Sequence, residues 1–149
     1  MNIFATYNCP VKSAKYLDNK RVIKMILESA QMLSGALRSC GCNKDELYKL
    51  THINHPCSIW TRSSKDNYKW LLNHFIALCN EYTKRYGKIH KCWNKYPIFK
   101  DNMELLPDGP LMRFENCTTL KDVTDTNLAY RLYLRQKWQS DKVTPKWRK

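Results

Sequence analysis

The sequence predicts an all-α fold, and three observations support this class. Apolar residues recur at steps of three and four positions in three long segments, which is the spacing of amphipathic helices. No long stretch alternates apolar and polar residues as a β-strand would, and only four glycines occur in 149 residues. We therefore expect one compact domain over residues 1–149, with three main helices and a long irregular connection before the last helix.

The first long helix is predicted from Lys20 to Arg38. Upstream of it, Pro10 suits the first position of a short helical turn, with Asn8 as its cap. The stretch 40–43 contains a glycine and is expected to end the long helix in a loop. The apolar stripe of the helix consists of Val22, Ile23, Ile26, Leu27, Ala30, Leu33 and Leu37.

Pro56 predicts the start of a further helix, capped by Asn54 or His55, because proline fits the first position of a helix. A second long helix then extends from about Ser64 to Tyr86, and Gly87 is expected to end it. Two aromatic side chains of this region are expected in the core: Trp60 and Trp70.

Residues 91–120 carry prolines and scattered apolar residues, which predicts a long connection that crosses the surface. The third helix follows from about Thr124 to Trp138. Its inward-facing residues are predicted to be Leu128, Leu132 and Trp138.

The chain is strongly basic, with 26 Lys and Arg against 13 Asp and Glu, a net charge of +13 and a pI near 9.5. This excess indicates a polyanionic partner, and nucleic acid is the commonest one. No apolar run approaches the roughly 20 residues of a membrane span, so no membrane partner is expected. The first residues lack the order of a signal peptide. We expect a cytoplasmic protein that is not exported.

The seven cysteines predict reduced thiols rather than a disulfide framework, because their number is odd and no export signal is recognised. Their spacing, together with that of the histidines, matches no standard pattern of a closed zinc site, so we expect no metal and no cofactor. The group that most resembles a zinc site is Cys40, Cys42, His52, His55 and Cys57.

Four polar residues share one face of the first long helix, opposite its apolar stripe: Arg21, Lys24, Glu28 and Gln31. Spacing alone favours a solvated face on which Lys24 and Glu28 form an ion pair. The alternative is a single carboxylate in a basic groove that binds a polyanion.

The segment that contains this face resembles a known signature. The run LDNKRVIKMILESAQML, residues 17–33, is similar to the L-D-x-K-R-x-x-K-x-x-x-E-x-x-Q-x-L pattern of the pyrimidine dimer DNA glycosylase family, the phage endonuclease V type. The resemblance covers about two-thirds of the chain. It continues through THINHPCSIWTRSSKDNYKWLL, EYTKRYGKIH, AYRLYLRQKW and the closing PKW.

The resemblance implies a compact helical domain that cleaves DNA in two steps. An amine attacks C1′ of the damaged nucleotide to give a Schiff base, and β-elimination then cuts the strand. The implied acid/base group is Glu28, and the implied nucleophile is the α-amine of Met1, or of Asn2 if the methionine is removed. An ordinary α-amine has a pKa of about 7.7–8.0, so much of it is unprotonated near neutral pH. The sequence departs from the family at Leu27 and Gln31, where the prototype carries arginines.

Further DNA contacts are predicted in two places. Around Pro56 they are His52, Asn54 and His55, although a histidine before proline is as often a helix cap. In the last helix and the basic tail, cations alternate with aromatic rings that stack on bases. These candidates are Arg131, Arg135, Lys137 and Trp147, and on the first long helix Arg21, Lys24 and Gln31 join them.

With the basic charge, the resemblance implies a monomeric DNA N-glycosylase with AP-lyase activity on a damaged or modified pyrimidine in double-stranded DNA, from a phage or a bacterium. We expect it in the cytoplasm of a bacterial host cell or associated with the nucleoid. Three alternatives remain open. The first is an enzyme of the same fold that acts on a modified base or nucleotide. The second is a DNA-binding protein without catalysis, and the third is a phage-borne inhibitor that binds an acidic host protein.

Overall fold

The computed structural model describes residues 1–148 and confirms the all-α class, since this range contains six α-helices and no β-strand. Besides the three long helices that were predicted, three shorter ones are present. The helices are α1 (Pro10–Tyr16), α2 (Asn19–Ser39), α3 (Pro56–Ser63), α4 (Lys65–Tyr86), α5 (Tyr96–Asp101) and α6 (Thr126–Ser140).

The two longest helices, α2 and α4, match the predicted segments to within a residue at each end. At the start of α4, the Ser64 hydroxyl accepts a hydrogen bond of 3.1 Å from the backbone N–H of Asn67. At its end, Gly87 takes the left-handed conformation with φ of 69°, which confirms the predicted stop. Helix α3 begins at Pro56 as expected, and its cap is His55 rather than Asn54.

The core lies where α2 and α4 pack against each other and against the short helices α1 and α3. Trp60 and Trp70 are both buried there, as predicted, and their rings meet edge to face with centroids 6.1 Å apart. Burying aromatic and aliphatic side chains of this size is the main stabilising term for a domain of this length. Within residues 1–148, no helix is both long and apolar enough to cross a membrane.

Three predictions of local structure need correction. The cap of α1 is Cys9, because the helix begins at Pro10, and the Asn8 side-chain oxygen instead accepts a hydrogen bond from the Asn127 side chain at 2.6 Å. The connection predicted as irregular over residues 91–120 contains a 3-10 turn, then α5, whose Phe99 is fully buried, then a second 3-10 turn. Only the part from residue 106 to residue 125 lacks helices.

The third correction concerns the buried face of α6. Leu128 is exposed and Leu132 is only half-buried, whereas Ala129, Tyr130 and Leu134 point into the core. The Tyr130 hydroxyl fixes this orientation, since it donates to the Glu115 carbonyl at 2.6 Å and accepts from the Cys117 N–H at 3.1 Å.

Candidate active site

The first residues of the chain fold back over α2. Ile3 and Phe4 are buried, and the Asn2 side-chain oxygen accepts hydrogen bonds from their two backbone N–H groups at 2.7 and 3.1 Å. Phe4 has a φ of 56°, in the left-handed region that non-glycine residues seldom adopt. This tight turn directs the start of the chain toward the middle of α2.

The chain start meets a single carboxylate there. The Met1 α-nitrogen lies 3.3 Å from Glu28 Oε1, and the Asn2 N–H donates to the same oxygen at 2.9 Å. Glu28 is only 8% exposed. Its second oxygen faces Lys24, whose Nζ lies 4.0 Å away. An α-amine and a buried carboxylate are therefore in direct contact, with a further cation beside them.

His55 borders this pair from the start of α3. Its Nδ1 accepts a hydrogen bond of 3.1 Å from the Cys57 N–H, so the histidine is a helix cap. Burial lowers the pKa of His55, and the positive charges of the chain's N-terminus and of His52 lower it further, while Glu28 opposes them. The imidazole of His55 is therefore favoured in its neutral form. His52 and Asn54 are exposed in the same loop, and His52 has a φ of 48°.

A basic cavity of about 290 Å³ opens next to the pair. Lys24 lines it and also faces Glu28, so the cavity and the carboxylate are adjacent. Its other lining residues are Phe4, Lys20, Arg21, Met25, Tyr133, Lys137 and Asp141. Four cations against one acid make this a favourable place for an anion.

Some residues predicted to contact DNA also make contacts within the protein. The Arg21 guanidinium binds Asp141 at 2.9 Å and Asp18 at 3.1 Å, and the pKa of Asp141 is lowered by its hydrogen bond with Arg21. Arg131 donates to the Thr6 carbonyl at 2.6 Å and covers the Tyr7 ring. Arg21 therefore connects the start of α2 to the residue after α6, and Arg131 connects α6 to the first residues of the chain.

The remaining predicted contacts lie further from the pair or at the surface. Gln31 is half-buried and lines a narrow crevice together with Thr51 and Ile53, which places it beside the loop of His52. Arg135 and Lys137 are exposed on α6. Trp147 is 40% exposed; its indole donates to the Tyr16 carbonyl at 2.8 Å and meets the ring of Trp138 edge to face.

The sequence predicted only part of one group next to the site, since it indicated His55 and Cys57 but not Cys117. Within residues 1–148, the histidine and cysteine donors that come together are His55, Cys57 and Cys117, and not the group with Cys40 and Cys42. Cys117 belongs to the connection before α6, 60 residues from Cys57 along the chain. No spacing rule links residues so far apart, and only the tertiary packing shows their proximity.

Comparison with known proteins identifies the family to which the chain belongs. No curated protein and no solved structure matches the chain. The family model described as pyrimidine dimer DNA glycosylase matches residues 1–95, a range that includes Met1, Glu28 and His55. The chain therefore belongs to the pyrimidine dimer DNA glycosylase family, which makes it a DNA-binding DNA glycosylase of DNA repair.

Proposed function

We propose that this protein is a bifunctional DNA glycosylase and AP lyase that uses its α-amine as the nucleophile and Glu28 as the acid/base group. The observation that carries the proposal is the distance of 3.3 Å between the Met1 nitrogen and Glu28 Oε1. The substrate is a damaged or modified pyrimidine in double-stranded DNA, and one copy of the chain supplies every group of the proposed site.

The proposed reaction has two stages. The amine nitrogen forms a bond to C1′ while the glycosidic bond breaks, and the electron pair of that bond leaves with the base, which takes up a proton. Opening of the sugar ring gives a Schiff base. Removal of a proton from C2′ then expels the 3′ phosphate by β-elimination.

Glu28 is suited to the proton transfers of both stages. As a carboxylate it accepts the proton that the attacking amine must lose, and general acid/base catalysis of this kind contributes roughly 10²–10⁴-fold. Its near-complete burial strengthens its electrostatic interaction with the amine relative to water.

The geometry accommodates either form of the chain start. With Met1 present, its nitrogen is the amine at 3.3 Å. If Met1 is removed, the nitrogen of Asn2, which lies 2.9 Å from the same oxygen, becomes the α-amine. In both forms a nitrogen remains beside Glu28.

The basic cavity is the proposed site for backbone phosphates that flank the target nucleotide. Lys20, Lys24 and Lys137 line it and supply cations. The exposed loop of His52 and Asn54 is proposed to contact the DNA on the other side of the amine.

The proposal is tested by borohydride reduction on duplex DNA with one abasic site, because reduction converts a Schiff base into a stable protein–DNA adduct. We expect an adduct with the wild type and a strand-cleavage rate that is roughly 10²–10⁴-fold lower in Glu28→Gln. The matched control is Glu104→Gln, which changes an exposed glutamate paired with Lys65 and should retain the wild-type rate. Full activity of Glu28→Gln would contradict the role of Glu28. DNA binding with no adduct in the wild type would point to a binding protein without catalysis.

A further inference from the structure

Three side chains with metal-ligating atoms converge beside the proposed active site. They are His55 at the start of α3, Cys57 in its first turn and Cys117 in the connection before α6. One ligand atom from each lies within 4.8 Å of the others. The proposed glycosylase and lyase reaction uses neither thiol.

The distance between the sulfur atoms of Cys57 and Cys117 fits a metal site better than a disulfide. Cys57 Sγ and Cys117 Sγ lie 3.6 Å apart, far longer than the S–S bond of about 2.05 Å in a disulfide. Zinc binds thiolate sulfur at about 2.3 Å in tetrahedral geometry, which places two such sulfurs about 3.8 Å apart. The two cysteines are therefore already at nearly the separation that a shared zinc ion requires.

We propose that His55, Cys57 and Cys117 form a binding site for a thiophilic divalent cation of the Zn²⁺ class. Two thiolates and one imidazole supply three ligands, and water takes the fourth position. A neutral imidazole has one nitrogen lone pair, so on binding the ion His55 gives up the hydrogen bond that it accepts from the Cys57 N–H. Each cysteine binds as a thiolate, so its thiol proton is released to solvent on binding, and no oxidation or reduction is involved. Because Cys117 belongs to the connection and Cys57 to α3, a bound ion would fasten these two parts of the chain together.

The first test uses the full-length, metal-free protein with a non-thiol reductant and titrates it with Co²⁺, which reports thiolate ligation through charge-transfer absorption. Zn²⁺ should then displace Co²⁺ at one ion per chain and raise the melting temperature. Neither readout depends on DNA or on the lyase, so a negative result here and a failure of the proposed function are distinguishable.

Two cysteine variants test whether the metal ion binds at the proposed site. Cys117→Ser should lose the charge-transfer band and weaken Zn²⁺ binding at least about 100-fold, since loss of a supporting residue alone costs 10–100-fold. The control Cys9→Ser removes an exposed thiol outside the group and should bind Zn²⁺ like the wild type. Circular dichroism on each variant confirms that it is folded.

Three results would overturn the proposal. One is the absence of a charge-transfer band in the wild type, which needs no variant to interpret. Another is equal Zn²⁺ affinity in Cys117→Ser and the wild type. The third is a Cys57–Cys117 disulfide, mapped by peptide mass spectrometry in protein purified without an added oxidant, since it would show that the pair is a redox couple instead.

Discussion

At the scale of single residues, Glu28 owes its environment to contacts that come from outside its own helix. A glutamate in the middle of an amphipathic helix is normally solvated, and its spacing from Lys24 predicts no more than a surface ion pair. The turn at Phe4 brings the start of the chain over it, and hydrogen bonds from that segment offset the cost of burial. Periodicity placed Glu28 on the polar face of α2, but only the tertiary structure shows the amine above it.

His74 gives a prediction about pH. It is fully buried in α4, with Nδ1 lying 3.0 Å from the Pro10 carbonyl oxygen, and burial lowers its pKa from 6.5 to about 4. At a pH between about 4 and 6.5, His74 binds a proton in the unfolded chain but not in the folded chain. The stability that His74 contributes is therefore fully present above pH 6.5 and is lost as the pH falls toward 4, by an amount on the order of 3 kcal/mol.

The measurement is the free energy of unfolding between pH 4 and pH 7 for the wild type and for His74→Gln. The wild type should lose stability more steeply on acidification, because glutamine does not titrate. His52→Gln changes an exposed histidine and should follow the wild-type curve. Parallel curves for the wild type and His74→Gln would show that His74 titrates alike in the folded and unfolded states.

At the scale of elements, the sequence predicts those helices and helix ends that depend on residues close together in the chain. The long helices follow from periodicity. The start of α3 follows from Pro56, and the two ends of α4 follow from Ser64 and Gly87, whose backbone preferences act within a few residues. Short helices such as α5 carry too few turns for a periodic signal. The buried face of α6 depends on the contacts of Tyr130 with the connection, and these involve residues more than ten positions away.

The tail after α6 gives a prediction at this scale. Trp147 packs against Trp138 and donates to the Tyr16 carbonyl, and the Asn19 N–H donates to the Lys146 carbonyl at 2.7 Å. Trp147→Ala should therefore lower the free energy of unfolding by about 1–2 kcal/mol, less than a fully buried tryptophan would cost, because 40% of the residue is exposed. Chemical denaturation measures this change, and unaltered stability would contradict the packing role.

The same variant tests the predicted stacking of Trp147 on DNA bases. Binding should be measured at a temperature at which both proteins are folded. Stacking of one base is worth about 1–3 kcal/mol, so the predicted role requires a loss of DNA affinity of at least about fivefold. An unchanged affinity would limit Trp147 to its structural role.

At the scale of the whole molecule, the net charge of +13 predicts DNA binding that depends steeply on salt. If about five phosphates are contacted, the logarithm of the affinity should fall with the logarithm of salt concentration at a slope near −4.5. Replacing Lys20 and Lys137, which line the basic cavity, with alanine should reduce the slope by about 2 for every DNA sequence tested.

The control for this prediction is the double alanine variant of Lys44 and Lys88, two exposed lysines outside the basic cavity. This control has the same net charge as the variant in which Lys20 and Lys137 are replaced with alanine. Equal slopes for the two double variants would show that overall charge, and not the cavity, governs binding.

The nitrogen that borohydride traps on the DNA shows whether the chain's own α-amine is the nucleophile. Lys24 provides the rival amine, with Nζ only 4.0 Å from Glu28. After borohydride reduction on abasic-site DNA, proteolysis and mass spectrometry should locate the sugar adduct on the α-nitrogen of the first residue, Met1 or Asn2. An adduct on the Lys24 side chain that is retained when the α-amine is acetylated would show that Lys24, and not the α-amine, is the nucleophile.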